Sequence, residues 1–477
     1  MSFGESPQPA ERTSKLPIIA ALVILVVVVG GGLTIGALSR SSGPSYPKAW
    51  DPRIAPLAAI AAKDRGLTFK HPVFVEFLSN KAFDKEVTTN DDDLSQGDRK
   101  SELRYEAATR AVGLISGNVD LLKETNQLNS SGILAFYAPS DKKIRVRGTK
   151  LTAATKVTLV HELTHVLQDQ YFDIGDTENK LDASATEDGW AYHALVEGDA
   201  RRIETKYRDS LPRAVRAELD KADAADSRMQ DKELKDVPPF LVADQQAPYV
   251  LGETAITRAA TGGGNAGIDA LFRTPPTHEI ELMQPWLLGT DWHSKPFTKP
   301  QVPKGAKAFE RSEFGAYYLY LVLAERLPLQ KALATADGWG GDSSVGYTQG
   351  SRVCMKASFT GIDSAATQRI QSGLDTWAAG MPHSATVTRS GSTVTMDACD
   401  PGKAFRAPNH SLTAVQLLSA RNDIEAQGEK DGAPQAFAVC VTNRIVARFG
   451  IGVLSSAQPS AAQTREMQGL AAACRNG

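Results

Sequence analysis

The spacing of apolar and polar positions along the chain predicts a mixed α+β protein. Helical spacing predicts helices over 50–65, 101–114, 152–172, 187–208, 213–223, 252–260, 268–272, 312–326 and 331–336. Strand-like runs predict a strand over 71–78, a hairpin over 132–146, and strands over 385–388, 393–397 and 436–448. Polar or Pro/Gly-rich segments predict loops at 88–100, 173–186 and 238–248 and a turn at 338–342.

The N-terminal segment carries a long apolar run. No charged residue lies between Leu16 and Ser39, and 24 helical residues are enough to cross a hydrocarbon core of about 30 Å. A cleavable signal peptide has an apolar region of only about 7–15 residues, so a retained anchor is favoured over a signal peptide cut near Ala37. We expect a cytoplasmic tail at 1–15, a bilayer-spanning anchor at 16–39 and a Ser/Pro/Gly linker at 40–49.

Composition and net charge narrow the classes of function that fit this chain. The chain has 477 residues, 42% hydrophobic and 23% charged, which is typical of a globular protein. It has 53 Lys and Arg against 55 Asp and Glu, for a net charge of −2. This balance argues against a nucleic-acid partner, which would favour a basic surplus.

The cysteines indicate the compartment. Cys354, Cys399, Cys440 and Cys474 lie late in the chain without CxxC spacing, and an even number downstream of an export segment indicates two disulfides. Three connectivities are possible, of which sequential pairing is preferred; four buried free thiols in a cytosolic domain are the alternative. We therefore expect a single-pass membrane protein with its main body outside the cell membrane.

One sequence motif contains residues that could bind a metal ion and act as a general base. The predicted helix at 152–172 contains His161-Glu162-Leu163-Thr164-His165. Positions i and i+4 share one helical face, so the two histidines can present their imidazole nitrogens to one metal ion. Glu162 lies about 100° around the axis, where its carboxylate is placed to act as general base. An apolar stripe on the same helix would hold it in the core; its members are Val157, Val160, Leu163, Leu167 and Tyr171.

A third ligand is available on the next predicted long helix. Catalytic zinc sites use three protein ligands, and Glu197 follows His165 by 32 positions. A helix that crosses the first one antiparallel would bring Glu197 to the metal, and the small residues Gly198 and Ala200 would allow close approach. Asp199 could accept a hydrogen bond from a ligand imidazole or remain a solvated carboxylate.

These residues resemble the gluzincin class of zinc metallopeptidases, in which two histidines and a downstream glutamate bind zinc. The resemblance is sharpest over 132–199 and extends more weakly to the sequences PYVLG (248–252), EFGAY (313–317) and GWGGD (338–342). It implies that His161, His165 and Glu197 bind Zn²⁺ and that Glu162 activates water. One position departs from the thermolysin-like pattern, since Arg201 stands where that pattern has an aspartate.

The resemblance also implies a fold, while the anchor and the cysteine-bearing tail, whose texture changes to short strands, lie outside it. We expect a zincin-like, mainly helical catalytic domain with a small β-sheet at 50–345. A disulfide-bearing α+β region is expected at 346–477. The expected activity is hydrolysis of a protein or peptide substrate outside the cell membrane.

Peptide hydrolysis also calls for a donor to the oxyanion, commonly His or Tyr. His278 is the first choice, with Tyr249 and His293 as further candidates. His193 lies one turn before Glu197 and could approach the metal, although a packing histidine at a helix contact is the preferred interpretation. Two alternatives to a peptidase stay open: a catalytically inactive zincin-fold surface protein, and a structural envelope protein in which HELTH is a coincidence.

Overall fold

The computed structural model describes residues 45–183, 186, 188–382, 385–454, 456 and 459–475. The predicted tail at 1–15, the predicted anchor at 16–39 and the first half of the linker lie outside these ranges. Across the described ranges, no helix has the length and apolarity needed to cross a bilayer.

Helices dominate the described chain. In chain order the α-helices there are α1 Ala55–Arg65, α2 Asn80–Val87, α3 Gln96–Ala111, α4 Leu121–Ser130, α5 Ala153–Phe172, α6 Ile174–Asp182, α7 Asp188–Ser210, α8 Arg213–Glu233, α9 Pro239–Arg273, α10 Ile280–Met283, α11 Ala316–Ala324, α12 Leu329–Ala336, α13 Ser364–Ala379, α14 Ser411–Lys430, α15 Gln435–Arg448, α16 Ile451–Leu454 and α17 Ala461–Arg475. Short 3-10 turns occupy Asp91–Asp93 and Pro285–Leu287.

The described strands form two sheets. They are β1 Phe74–Leu78, β2 Ala135–Ala138, β3 Lys143–Arg147, β4 Lys307–Ser312, β5 Trp339–Gln349, β6 Arg352–Gly361, β7 Ala385–Ser390 and β8 Thr393–Cys399. The first sheet has the order β1-β3-β2, in which β1 and β3 are parallel and the β2–β3 hairpin is antiparallel. The second is antiparallel, with the order β4-β5-β6-β8-β7. The predicted α+β class is therefore confirmed.

Helix α5 lies in the interior. Thr152 caps its first turn by accepting from the Thr155 N–H at 3.1 Å. Every residue from Val157 to Asp169 is buried, because α1, α7 and the first sheet pack around it. The predicted apolar stripe is buried except for Tyr171, which is 38% exposed. Burial on all faces means that polar side chains of α5 must find partners within the protein.

Four predicted elements were wrong. The loop predicted at 238–248 belongs to α9: Pro239 occupies its first turn, where a missing N–H costs little. The strand predicted at 436–448 is α15, whose buried residues Ala438, Thr442, Ile445 and Val446 follow helical rather than alternating spacing. The turn predicted at 338–342 opens β5. The loop predicted between α5 and α7 contains α6.

The motifs EFGAY and GWGGD meet at the start of α11. Asp342 accepts from the backbone N–H groups of Phe314 and Gly315 at 2.6 and 2.9 Å and from Trp339 Nε1 at 2.8 Å. Glu279 accepts from the Tyr317 N–H at 2.7 Å. These carboxylates satisfy N–H groups that a helix start leaves without intrahelical partners, so both motifs have a structural use here.

The cysteines pair sequentially, as preferred from the sequence. Cys354–Cys399 joins facing positions of β6 and β8, and Cys440–Cys474 joins α15 to α17. The predicted boundary between 345 and 346 falls inside β5, so the second sheet extends across it.

Candidate metal centre

His161 and His165 lie side by side on the buried face of α5 that meets α7. Their ring centroids are 4.6 Å apart, and both side chains are at most 1% exposed. Helix α7 brings Glu197 between them: its Oε2 lies 3.2 Å from His161 Nε2 and 3.7 Å from His165 Nε2. One ligand atom from each residue falls within 4.8 Å of the other two. The structure thus unites the three ligands predicted from the sequence.

The donor atoms of this group fit a metal ion. His165 Nε2 and Glu197 Oε1 are buried without a hydrogen-bond partner, a costly arrangement for polar atoms unless something else satisfies them. Two imidazole nitrogens and one carboxylate oxygen converge on one point, and each is a common metal-ligating group. The His161–His165–Glu197 group could therefore hold a metal ion.

The other ring nitrogens show how the two histidines are oriented. His161 Nδ1 donates to Glu204 Oε2 at 3.0 Å. His165 Nδ1 lies 2.8 Å from Gln168 Oε1, while Gln168 Nε2 donates to the Val196 carbonyl at 2.9 Å and to Asp199 at 3.2 Å. Because the amide nitrogen already faces two acceptors, its oxygen must face His165, and His165 Nδ1 carries the proton. Both Nε2 atoms are then directed at the common point.

Two linked ion pairs support the Gln168 side chain. Asp199 and Arg65 are both 0% exposed, and Arg65 Nε donates to Asp199 Oδ2 at 2.5 Å. Arg65 also pairs with Asp269 at 2.7 Å. Asp199 therefore acts on His165 through Gln168 rather than by accepting from an imidazole directly.

Arg201 also belongs to the support of the site. Its Nη1 lies 2.9 Å from Glu204 Oε1, while the other oxygen of Glu204 holds His161. Glu204 lies seven positions after Glu197, two turns along the same helical face. The chain thus supplies a supporting carboxylate from Glu204 although Arg201 occupies the thermolysin-like aspartate position.

Glu162 lies beside the ligands with one free oxygen. Its Oε2 accepts from the Tyr137 N–H of β2 at 2.7 Å, and its Oε1 is buried without a hydrogen-bond partner. Burial raises the pKa of Glu162 to about 8. A fixed carboxylate with a free oxygen and a pKa near neutrality is suited to accept and return a proton.

The buried carboxylates of the group favour a positive charge on His161. Burial lowers the pKa of His161, but Glu197 and Glu204 outweigh burial and raise it to about 10. Burial raises the pKa of Glu197, but His165 and His161 outweigh it and lower the pKa to about 2. Burial lowers the pKa of His165 to about 4, which keeps its imidazole neutral and able to ligate.

The candidate oxyanion donors are not placed together. His278 contacts Trp292 and Trp339, with ring centroids 5.4 and 5.3 Å away, and its Nδ1 lies 4.0 Å from Glu313. These described contacts do not include the three ligands, and His293 lies near Glu281. The structure thus does not bring the first-choice donor to the candidate metal centre.

Tyr249 and His193 do reach the centre. Burial and the carboxylates of Glu197 and Glu162 raise the pKa of the Tyr249 phenol well above 10. His193 Nε2 lies 4.0 Å from Glu197 Oε1. Both are therefore neighbours of Glu197.

Three supporting residues were not predicted from the sequence: Arg65, Gln168 and Glu204. Helical spacing could have indicated Gln168, three positions after His165, and Glu204, seven after Glu197. Nothing in the sequence could have connected Arg65 to Asp199, which lies 134 positions later in the chain. The assembled group combines a triad that could hold a metal ion, a carboxylate with a free oxygen and two oriented imidazoles. No protein-family model, curated protein or solved structure matches the chain.

Proposed function

We propose that the chain is a zinc-dependent peptidase, and one observation carries the proposal. Two histidines and a glutamate converge within 4.8 Å, and the free oxygen of Glu162 lies on a residue adjacent to one of them. Metal binding alone needs no buried carboxylate with a free oxygen at that position. Two His and one Glu are also a donor set of catalytic zinc sites, which leave a further coordination position open.

The proposed mechanism uses few residues. A zinc ion held by His161, His165 and Glu197 would supply Lewis acidity toward a peptide carbonyl and toward water. Glu162 Oε1 accepts a proton from the attacking water while the Tyr137 N–H holds Oε2 in place. Glu162 then gives that proton to the leaving amine as the C–N bond breaks.

The gluzincin class and a zincin-like fold belong to the same proposal. Their support is the order of elements over 132–199: the β2–β3 hairpin, the ligand helix α5 and the crossing helix α7. The Arg201 departure is accommodated because Glu204 orients His161.

We also propose that this peptidase is anchored in the cell membrane with its catalytic domain on the extracytoplasmic side. The support is the uncharged run at 16–39, together with two disulfides, which persist in oxidising compartments. The substrate would be a protein or peptide on that side.

The test measures zinc per chain in the full-length protein, its Glu162→Gln variant and its His165→Ala variant. A peptide library incubated with each protein reports cleavage. We expect one zinc per chain in the wild type and in Glu162→Gln, loss of zinc in His165→Ala, and cleavage by the wild type alone.

Zinc binding without cleavage would favour a catalytically inactive zincin-fold surface protein. A wild type that binds no zinc, or a His165→Ala variant that binds it unchanged, would refute the proposed centre.

A further inference from the structure

A cleft lined by basic side chains lies between α3 and the second sheet. Its volume is about 570 Å³, and its charged lining residues are Lys100 and Arg104 of α3 and Lys307 of β4. We propose that this cleft binds the phosphate group of an organic phosphate monoester. The inference does not depend on the proposed peptidase function, because none of the residues that line the cleft belongs to the candidate metal centre.

The charge of the cleft departs from that of the whole chain. Over the whole sequence, Asp and Glu slightly outnumber Lys and Arg, 55 to 53. The cleft, in contrast, is lined by three cations and by no acidic residue. In the part of the chain that the structure describes, no carboxylate forms an ion pair with Lys100, Arg104 or Lys307. Their positive charges are therefore available to attract an anionic ligand.

Arg104 is held in place by an aromatic ring. Its guanidinium carbon lies over the Phe309 ring, 4.6 Å from the ring centroid. Stacking on a ring face orients the planar guanidinium while its N–H donors stay free. Among the described residues, no acceptor takes a hydrogen bond from these donors. Arg104 is therefore an oriented fork that can donate to two oxygens of one phosphate.

The position of Phe309 follows from an irregularity of β4. Its pairing with β5 shifts register between Ala308 and Glu310, so Phe309 is the extra residue of a β-bulge. A bulge redirects the side chain that it carries. The ring packs on Gly346 of β5, where an added Cβ would lie 2.6 Å from Phe309 Cε2. The bulge and the glycine together place the ring against Arg104.

The lining residues match an organic phosphate monoester. Such a group carries nearly two negative charges at pH 7 and three acceptor oxygens. The guanidinium supplies paired donors for those oxygens, and the two lysines supply point charges. The volume lies within the range of small-ligand sites, about 300–1,000 Å³. Leu103 and Val353 add apolar surface to the cleft, which the organic part of the ligand would contact.

The test titrates the full-length protein with phenyl phosphate by isothermal calorimetry. The variants are Arg104→Gln, Arg104→Lys, Lys307→Gln and Phe309→Leu. Lys304→Gln is the matched control, because Lys304 is exposed, lies three positions before Lys307 and does not line the cleft. His165→Ala is measured as well, since it removes a ligand of the candidate metal centre, the other place where a phosphate would bind.

We expect the wild type to bind phenyl phosphate with an affinity that falls as salt is added. Arg104→Gln should weaken binding about tenfold or more, because a hydrogen bond to a charged group is lost. Arg104→Lys keeps the charge without the fork and should recover part of the affinity. Lys307→Gln should weaken binding about fivefold, and Phe309→Leu should weaken it by releasing Arg104. Lys304→Gln and His165→Ala should bind as the wild type does.

Vesicles identify the source of the phosphate, since a soluble ester and a lipid headgroup offer the same chemistry. Phosphatidylcholine vesicles with or without phosphatidic acid are added to the titration as competitors. A lower apparent affinity with phosphatidic acid alone would show that a lipid headgroup enters the cleft. An unchanged affinity would assign the cleft to a soluble phosphate ester. Both results support the phosphate site.

Four results would overturn the inference. A wild type that does not bind phenyl phosphate has no such site. Unchanged affinity in both Arg104→Gln and Lys307→Gln would place the phosphate elsewhere on the protein. Loss of binding in His165→Ala would place it at the metal centre. A loss in Lys304→Gln equal to that in Lys307→Gln would show that surface charge in general, rather than the cleft, attracts the phosphate.

Discussion

Gly198 of α7 and Gly252 of α9 meet backbone to backbone where the two helices cross. A Cβ on Gly252 would overlap the Ala194 carbonyl oxygen, and one on Gly198 would overlap the Gly252 backbone. Gly198 directly follows Glu197 of the candidate metal centre, and Gly252 lies one turn after Tyr249. The crossing therefore sets how closely α9 approaches the ligand glutamate, and it gives the PYVLG sequence a structural reason.

The helix crossing yields the first prediction. Gly252→Ala should force α7 and α9 apart and lower the free energy of unfolding by about 3 kcal/mol, within the range for overpacking a core. It should also weaken zinc binding, because Glu197 moves with α7. Chemical denaturation and zinc titration measure the two effects.

The same helix supplies the control. A Cβ on Gly262 would meet nothing within 4 Å, so Gly262→Ala should leave zinc binding unchanged. It should stabilise the protein by up to about 1 kcal/mol, since Ala is the better helix former. Equal behaviour of the two variants would contradict the steric explanation.

The second prediction concerns the residues that orient the histidines. Glu204→Gln removes the carboxylate on His161 Nδ1, and Gln168→Leu leaves His165 Nδ1 unpaired. Each should weaken zinc binding about 10–100-fold, as measured by competition with a chelator.

Glu106→Gln is the matched control for those variants. Glu106 is also buried and paired with an arginine, Arg110, but it has no described contact with the metal ligands. It should lower stability and leave zinc affinity as in the wild type. A loss of zinc affinity in this control would show that any buried ion pair matters equally.

The third prediction is that ionisation of Asp342 makes the free energy of unfolding depend on pH. Burial raises the pKa of Asp342 to about 6, against about 3.9 for an unfolded aspartate. The folded state therefore binds more protons between these values, so this residue's contribution to stability is lost as pH rises from about 4 to 6.

Denaturant unfolding at several pH values between 4 and 7 checks this. Asp342→Asn should be less stable overall, because one acceptor oxygen replaces two, but its profile should be flatter across that window. Asp363→Asn keeps a capping side chain on α13 and should retain the wild-type profile. Identical slopes for wild type and Asp342→Asn would rule out Asp342 as the source.

The fourth prediction is that removal of each disulfide has a different effect. Replacing Cys354 and Cys399 by Ala opens a link across 45 residues, which should lower the free energy of unfolding by about 4 kcal/mol. Replacing Cys440 and Cys474 releases α17, which has no buried residue. That variant should become sensitive to proteolysis near its C-terminus while keeping its zinc. Loss of zinc there would mean that the last helix supports the centre.

The sequence was sufficient for the features that depend on local spacing. His161 and His165 share a face because four residues make about one helical turn, and the β2–β3 hairpin follows from an equally local pattern. Local patterns also led to wrong predictions. The β-branched residues of α15 favour a strand locally, but their burial against α14 and α12 requires a helix.

Only the tertiary structure decided how the centre is completed. Arg65 of α1 pairs with Asp199 of α7, and Asp199 contacts Gln168 of α5, so two contacts between different helices support the Gln168 side chain that holds His165. Packing likewise left His278 among tryptophans. The spacing of residues along one helix is set by the geometry of that helix. The distance between side chains on different helices depends instead on the packing of the whole core.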